Sequence, residues 1–423
     1  MVDILQDLQA RGLVQQTTDE AGLTKHLEEN QVTLYCGFDP TADSLHIGHL
    51  LPVTLLKRFQ LAGHRPIALI GGGTGMIGDP SGRNEERSLN TTETVHYFAN
   101  SLRNQLATML NFDEGDNAAV ARNNHDWLSN LTFIEFLRDV GKHFTVNYML
   151  AKDAVASRIE HGISYTEFSY MLMQSYDYMK LYEEEGCSLQ IGGSDQWGNI
   201  TAGMEYIRRT REDGEGADVF GLTVPLITKA DGTKFGKTAG GAIWLDPEKT
   251  SPYEFYQFWY NTDDRDVIKF INYFTFLSRE EIDEIEKATE ADPGARVAQK
   301  RLAEEMTTFV HGKESLDQAI KISEALFSGD VKQLTKNEIE QGFKDVPTYA
   351  AEKSDIGLID LLVAAKISPS KRQAREDISN GAIYVNGDRN QNLDHIVTGA
   401  DRLEDTFTII RRGRKKYFLV HFQ

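Results

Sequence analysis

The sequence predicts an α/β fold: a parallel-sheet domain, then an α-helical domain, then a small α+β module. Three patterns carry this expectation. Near the start, an apolar strand at 32–38, a helix at 49–61 halted by Gly63, and a second apolar strand at 66–70 form a strand–helix–strand unit. From 251 to 327, amphipathic helical spacing recurs behind capping residues, as at Ser251-Pro252 and Ser278-Arg279-Glu280-Glu281. After 354 the pattern changes to short helices, a turn and late β-runs.

In chain order, the 66–70 strand runs directly into Gly71-Gly72-Gly73, a backbone able to approach a small ligand closely. Residues 141–181 follow helical spacing. A short strand at 189–191 leads through a glycine turn to a helix over 199–209. These elements make a first domain of 1–245, and the later helices a second of 246–328. The stretch 329–353 is polar and irregular, and a linker is expected there. In the closing module, 354–423, the expectation is helices at 357–365 and 371–380, a hairpin at 382–388, and strands at 406–410 and 416–422.

A chain of 423 residues can form two or three domains. No apolar run has the length of a membrane span or the form of a signal peptide. Cys36 and Cys187 are too few for a disulfide scaffold or a structural zinc site. A cytoplasmic protein with neither membrane nor DNA as partner is expected. The net charge of −19 excludes a uniformly basic nucleic-acid binder, but it hides a gradient. From Lys353 onward 12 Lys/Arg face 9 Asp/Glu, a net +3, so the preceding part carries −22. RNA can be held locally at such a basic end.

The chemistry-bearing residues fall in a few segments. Asp39-Pro40-Thr41 follows the first strand, and His46-Ile47-Gly48-His49 opens the helix behind it. Unpaired N–H groups at a helix start favour an anion, and histidines at i and i+3 can both face it. Either histidine alone reads more readily as a solvated side chain; the pair in this position reverses that and reads as a phosphate site. Lys234-Phe235-Gly236-Lys237-Thr238 sets two ammonium groups three apart in a glycine-containing loop. It fails as a Walker motif because Asp231 stands where the first glycine is required. It reads instead as a mobile loop that brings Lys234 and Lys237 onto phosphate oxygens. Together the two segments describe an enclosure for a polyphosphate being broken. Tyr170, Gln174 and Asp177, spaced four and three apart, share one helix face, where burial without partners is costly.

These features resemble the class I aminoacyl-tRNA synthetases, whose signatures are a His-Ile-Gly-His and a Lys-Met-Ser-Lys-Ser sequence. The variant form of the second, at Lys234–Thr238 here, is similar to that of the bacterial tyrosine-specific branch. So are Tyr35-Cys36-Gly37-Phe38-Asp39-Pro40-Thr41, Gly75-Met76-Ile77-Gly78-Asp79-Pro80-Ser81-Gly82 and Gln190-Ile191-Gly192-Gly193-Ser194-Asp195-Gln196-Trp197-Gly198-Asn199. The resemblance runs essentially from end to end. It implies a Rossmann-like catalytic domain with dimer-interface helices, a helical domain at the tRNA anticodon arm, and a terminal S4-like RNA-binding domain.

It also implies residue roles. Tyr35 and Asp177 would bind the phenol of L-tyrosine. Asp79, Tyr170 and Gln174 would hold its ammonium group, with Asp39 and Gln196 near the reacting end. Cys36, Gly193 and Asp195 would lie along the ribose of ATP, with Gly37 and Gly48 also on the nucleotide. His46 and His49 would attend the phosphates beside Thr41, with Lys234 and Lys237. Arg83 and Arg87 stand where the family uses a second basic loop, Arg83 replacing a lysine common there. Tyrosine would be activated as an adenylate and then passed to the 3′-terminal ribose of tRNA(Tyr). Mg²⁺ would accompany ATP, with no metal held by the protein itself.

Two further patterns remain open at this level. Arg411, Arg412, Arg414, Lys415 and Lys416, with Lys366, Lys371, Arg372 and Arg375, are either a solvated charge run or a phosphate-contacting face. Trp127, Leu131, Phe133, Ile134, Phe136, Leu137, Phe144, Tyr148 and Met149 are either core or an interface; the resemblance implies the interface of a homodimer. The competing readings are a tryptophan-activating relative, a protein that only binds RNA, and a simple nucleotidyltransferase.

Overall fold

The computed structural model describes residues 3–82, 89–160, 162–211, 218–233, 235–238, 241–413 and 416–423, with the backbone alone at 237–238. The chain divides into two compact units. The first comprises Met1–Lys249 with Thr262–Leu302, and the second Thr250–Asn261 with Ala303–Gln423. The helical span expected at 246–328 is therefore shared. Asp264–Phe274 and Arg279–Ala291 belong to the first unit, while Pro252–Tyr260 belongs to the second.

The first unit is built on a six-stranded sheet. Strands β1 (Gln16–Thr17), β2 (Thr33–Phe38), β3 (Arg65–Ile70), β4 (Val120–Asn123), β5 (Cys187–Gly193) and β6 (Phe220–Val224) stand in the order β1-β6-β5-β2-β3-β4. Strands β2 to β6 are parallel to their neighbours, and β1 pairs antiparallel at the edge. The near-continuous burial of β3, β5 and β6 is that of strands covered on both faces. The expected strand–helix–strand unit is β2, α1 (Leu50–Leu61) and β3.

From β2 the chain moves outward through β3 to β4. After α2 (Thr92–Met109, between β3 and β4) and α3 (Tyr165–Glu185, after β4), it returns to the other side of β2 as β5. This reversal sets a crevice at the carboxyl ends of β2 and β5. The hydrogen-bond register widens it. β2 pairs with β3 as far as Phe38↔Ile70, and β5 with β6 as far as Gly193↔Val224, but β2 and β5 pair only to Tyr35↔Gln190. The two central strands therefore part over their last residues.

Local sequence explains the helix that walls this crevice. Ser164 caps the start of α3 by accepting the N–H of Glu167, and Gly186, at φ +64°, ends it. Behind it lies α4 (Trp197–Thr210). Gly203 lets α4 approach closely, since a Cβ there would stand 3.1 Å from the Tyr178 ring.

In the second unit, five strands stand in the order Asp388–Asn390, Ile383–Val385, Phe407–Arg412, Lys416–Phe422, Thr348–Ala351. Their side chains alternate between two cores. Ile410, Val420 and Phe422 pack with Leu361, Leu362 and Ile378 of the short helices. Phe407, Ile409 and Leu419 pack with Ile322, Ile339 and Phe343. The expected linker at 329–353 is thus corrected: it carries the helix Lys336–Gly342 and the strand Thr348–Ala351, and Val331, Leu334, Ile339 and Phe343 are buried. The expected hairpin turns at Asn386-Gly387, with φ of +47° and +91°. The long helix Val297–Ser328 is broken at Gly312. Among the described residues, no helix is long and apolar enough to cross a membrane.

Candidate active site

Where β2 and β5 part, the first unit contains a cavity of about 370 Å³. Its wall includes Tyr35, Cys36, Gly37, Asp39, Thr41, Gly48, His49, Asp79, Tyr170, Gln174, Asp177, Gly193, Asp195 and Gln196. Residues as far apart in sequence as Tyr35 and Gln196 are thereby brought to one place. Arg83, Arg87 and Lys234 lie outside the described residues, as do Arg414 and Lys415.

The floor of the cavity is polar and buried. Asp177, on α3, is 2% exposed. Its Oδ1 accepts the ring N–H of Trp127 at 2.7 Å, and its Oδ2 accepts the amide of Asn124 at 2.9 Å. Burial pushes its pKa up to about 7, against the two hydrogen bonds that lower it. Tyr35, on β2, is 1% exposed, and its hydroxyl has no hydrogen-bond partner among the described residues. Burial, with the neighbouring Asp177, raises the phenol well above its usual range. A buried hydroxyl and a carboxylate with lone pairs to spare form a ready partner set for one more hydroxyl.

Midway up the cleft, acceptors converge. Asp39 accepts the Tyr170 hydroxyl at 2.8 Å and the Thr74 hydroxyl at 2.7 Å. Gln174 donates to Gln196 at 3.3 Å, and Gln196 donates to Asp79 at 2.7 Å. Gly71 is required beside them, because a Cβ there would lie 1.9 Å from Asp39 Oδ1. The carboxylates of Asp39 and Asp79, with amides between, suit a cationic group.

At the mouth, Ile47–His49 forms a single tight turn in front of α1. His49 Nδ1 accepts the N–H of His46 at 3.1 Å, and His46 Nδ1 accepts that of Gly48 at 3.0 Å. A ring nitrogen that accepts carries no proton, so each neutral imidazole holds its hydrogen on Nε2. The rings lie 3.9 Å apart. The turn thus offers two imidazole donors with fixed tautomers at a helix start, the arrangement that suits phosphate oxygens.

Comparisons with known proteins agree with this geometry. Residues 27–328 match the family described as tRNA synthetases class I (W and Y), and residues 338–420 match the tyrosine–tRNA ligase SYY-like C-terminal domain. The tyrosine–tRNA ligase of Oceanobacillus iheyensis is 68% identical over 425 residues, covering 100% of this chain and 99% of that one. The chain belongs to the bacterial tyrosyl-tRNA synthetase family of class I. Tyrosine–tRNA ligase 1 of Bacillus subtilis is 62% identical over 424 residues, with 100% of both chains covered. A C-terminally truncated mitochondrial tyrosyl-tRNA synthetase of Aspergillus nidulans superposes with a TM-score of 0.70 at 32% identity, over 77% of this chain and 95% of that one.

The second family signature meets the first directly. Phe235 lines the cleft and stacks on Phe274 at 5.4 Å. Gly236, at φ +85°, lies so close to the histidine turn that a Cβ would stand 2.6 Å from Ile47 Cγ2. Lys237–Thr238 then pairs with Gly241–Ala242 as a two-residue ribbon.

Two residues of the floor escaped sequence reasoning. Asn124 follows the end of β4, and its side chain also accepts the N–H of Gly73 at 2.7 Å and donates to Thr74 at 2.9 Å. Its signal was its place at the carboxyl end of a parallel strand, and that strand was not read. Trp127 was grouped with the aromatic stretch, but its indole N–H serves Asp177. The remainder of that stretch divides. Phe144 and Met149 are buried, whereas Phe133 (67% exposed), Ile134 (66%) and Leu137 (39%) face outward.

In the second unit the basic residues also divide. Arg412 donates to the Ile367 carbonyl at 2.8 Å and pairs with the buried Asp377 at 3.0 Å. The Arg411 guanidinium lies 4.1 Å from the centre of the Tyr384 ring. Lys366, Lys371, Arg372, Arg375 and Lys416 are exposed, and Lys416 stands opposite Arg412 in the strand pairing.

Proposed function

We propose that this cleft binds L-tyrosine with its phenol against Tyr35 and Asp177 and its carboxylate toward the histidine turn. The activity is that of an ATP-dependent tyrosine–tRNA ligase. Tyrosine and ATP give tyrosyl-adenylate and pyrophosphate, and the tyrosyl group then passes to the 3′-terminal ribose of tRNA(Tyr) with release of AMP. The observation that carries the tyrosine assignment is the buried floor. A substrate hydroxyl donates to Asp177 and accepts from Tyr35, satisfying the buried Tyr35 hydroxyl, which lacks a partner among the described residues.

Asp79, Tyr170 and Gln174 hold the ammonium group, and Asp39 and Gln196 orient the carboxylate end. The carboxylate oxygen attacks the α-phosphorus, a P–O bond forms, and the bond to pyrophosphate breaks. No protein nucleophile is required. His46 and His49 donate from Nε2 to oxygens that gain charge in the transition state, where such donors are most effective. Thr41, Lys234, Lys237, Arg83 and Arg87 act with them. Cys36, Gly37, Gly48, Gly193 and Asp195 border the nucleoside. Mg²⁺ would accompany ATP as part of the substrate, offsetting phosphate charge, the phosphate oxygens being ligands of the kind a hard cation takes. Among the described residues, no group of three or more His, Cys, Asp or Glu is placed to hold a metal.

The exposed apolar patch of Phe133, Ile134 and Leu137, with Val146 at 61% exposure, supports a homodimer formed through this face. The terminal module is assigned an S4-like role on tRNA, with Lys366, Lys371, Arg372, Arg375 and Lys416 on phosphates. The cytoplasm, where ATP and tRNA are met, is the proposed location. The test is exchange of labelled pyrophosphate into ATP without tRNA, with tyrosine, tryptophan or phenylalanine supplied. Exchange with tyrosine alone is expected. Its absence with all three, from folded protein given Mg²⁺, overturns the reading.

A further inference from the structure

The lysine loop and its outgoing stem both rest on the histidine turn. The loop touches it at Gly236, against Ile47. The outgoing stem meets it in a single antiparallel bridge: Ile47 N–H donates to the Ile243 carbonyl at 2.9 Å, Leu245 N–H donates to the Leu45 carbonyl at 2.9 Å, and His46 and Trp244 face each other between them. The Trp244 ring meets the His46 imidazole edge to face, with centroids 6.1 Å apart and planes at 67°. Lys249 Nζ lies 5.4 Å from the centre of the Trp244 ring and 2.8 Å from Asp43, a residue of the segment that carries the histidines.

We propose that Trp244 is a positioning residue for His46, a side chain that fixes where the imidazole Nε2–H points. Among the described residues, the Gly48 N–H on Nδ1, the His49 ring on one face and the Trp244 ring at 67° bear on the orientation of the His46 ring. The first two belong to the turn itself and move with it. Trp244 belongs to the lysine loop's stem, so the position of that loop reaches His46 through the indole. The Asp43–Lys249 ion pair is exposed and worth little by itself. Its geometric effect is to hold a cation over the indole ring, whose quadrupole attracts it. The inference rests on the reading that His46 serves the phosphates of ATP.

The experiment is single-turnover adenylate formation by the full-length chain, with tyrosine affinity measured separately at equilibrium. Trp244→Leu is expected to slow the chemical step by about 10- to 100-fold, the range a small misplacement of a reacting group costs. Tyrosine affinity is expected to stay unchanged, because the phenol floor lies elsewhere. Trp244→Phe, which keeps an aromatic edge, is expected to recover most of the rate. In a His46→Asn background the Trp244→Leu loss is expected to vanish, as for residues acting through one group. Equal losses in both backgrounds, or weakened tyrosine binding, overturn the proposal while leaving the site reading intact. An undiminished rate in His46→Asn alone overturns that reading and the proposal with it. If Trp244→Leu does not fold, Lys249→Met carries the same comparison, with a smaller loss that His46→Asn must also abolish.

Discussion

Trp127 donates its indole N–H to Asp177 Oδ1 at 2.7 Å, across 50 residues of sequence. The bond joins the short helix His125–Leu128 after β4 to the middle of α3, and Asn124 at the start of that helix occupies the other carboxylate oxygen. Two neutral donors leave the carboxylate buried but still able to accept. Beside it, Tyr35 is buried with its hydroxyl unserved by any described residue. The floor is therefore fully braced on one side and incomplete on the other, which is the asymmetry expected of a group that waits for substrate.

Replacement of Tyr35 by Phe tests this asymmetry. It removes a buried hydroxyl that lacks a partner, so the free protein is expected to lose no stability and to gain up to about 1 kcal/mol. Preference for tyrosine over phenylalanine should fall by about 10-fold as one hydrogen bond to the substrate is lost. Urea unfolding and pyrophosphate exchange measure the two quantities. A large destabilisation with unchanged selectivity would mean that the hydroxyl is structural.

The Asp177 carboxyl sets a pH dependence of known sign. Its pKa rises from 3.8 to about 7 on folding, mainly through burial. Between these values the folded chain keeps a proton that the unfolded chain has released. Its contribution to stability is therefore fully present below pH 3.8 and is lost as pH rises through 7. The slope is about −1.4 kcal/mol per pH unit within the window. Asp177→Asn should flatten this part of the profile, as read from unfolding at pH 5 and pH 7. Tyrosine affinity should instead rise with pH through the same interval, since the ionised form is the better acceptor. Trp127→Phe, lacking one lowering hydrogen bond, should move both midpoints upward.

The parts legible in the sequence were those with local causes. Apolar runs and a helix halted by Gly63 mark β2, α1 and β3, and the pair His46 and His49 announces itself by spacing. What escaped depends on distance. Val120–Asn123 is a four-residue strand with partly exposed positions, recognisable only beside β3, so Asn124 could not be placed. The polar 329–353 stretch folds because Val331, Leu334, Ile339 and Phe343 reach a core supplied by Phe407, Ile409 and Leu419, well beyond any sequence window. Trp127 looked like its aromatic neighbours, and only the position of Asp177 separates it from them.

Gly236 offers a test of the loop's attachment. Its φ of +85° and a Cβ that would lie 2.6 Å from Ile47 Cγ2 leave an alanine strained on two counts. Gly236→Ala should displace the lysine loop from the histidine turn. The rate of adenylate formation is expected to fall by about 10²-fold. Equilibrium tyrosine binding should be nearly unchanged, since the floor takes no part. A loss of tyrosine affinity comparable to the loss of rate would contradict this division of labour.

The apolar patch predicts an assembly. Phe133 and Ile134 sit two-thirds exposed at a capped helical start, where Thr132 and Glu135 hold the backbone rigidly. Placing Asp at both positions should leave each unit folded, because neither side chain is buried. Sedimentation should then report a monomer where the unaltered chain gives a dimer. If the doubly substituted chain sediments as a dimer, this face is not the interface.

The basic residues of the second unit should separate by function when replaced singly and together. Arg412 serves the fold: its guanidinium bonds the Ile367 carbonyl and the buried Asp377, which among the described residues keeps donors from Ser368 and Gln373 once the arginine is gone. Because the pair is partly solvated, Arg412→Ala should cost about 1–2 kcal/mol, seen as a lower Tm of the second unit. Lys371, Arg372 and Arg375 lie exposed on one short helix, and the Lys371–Asp360 pair at 2.6 Å is itself exposed on both sides. Their joint replacement by Ala should leave Tm and pyrophosphate exchange unaltered while raising the KM for tRNA. The slope of log affinity against log salt should fall by about 2–3, one phosphate contact for each charge removed. Unchanged tRNA affinity and salt dependence in this triple variant would remove the helix from the RNA-binding face. The same changes produced by Arg412→Ala, without a drop in Tm, would move that role to the strand behind it.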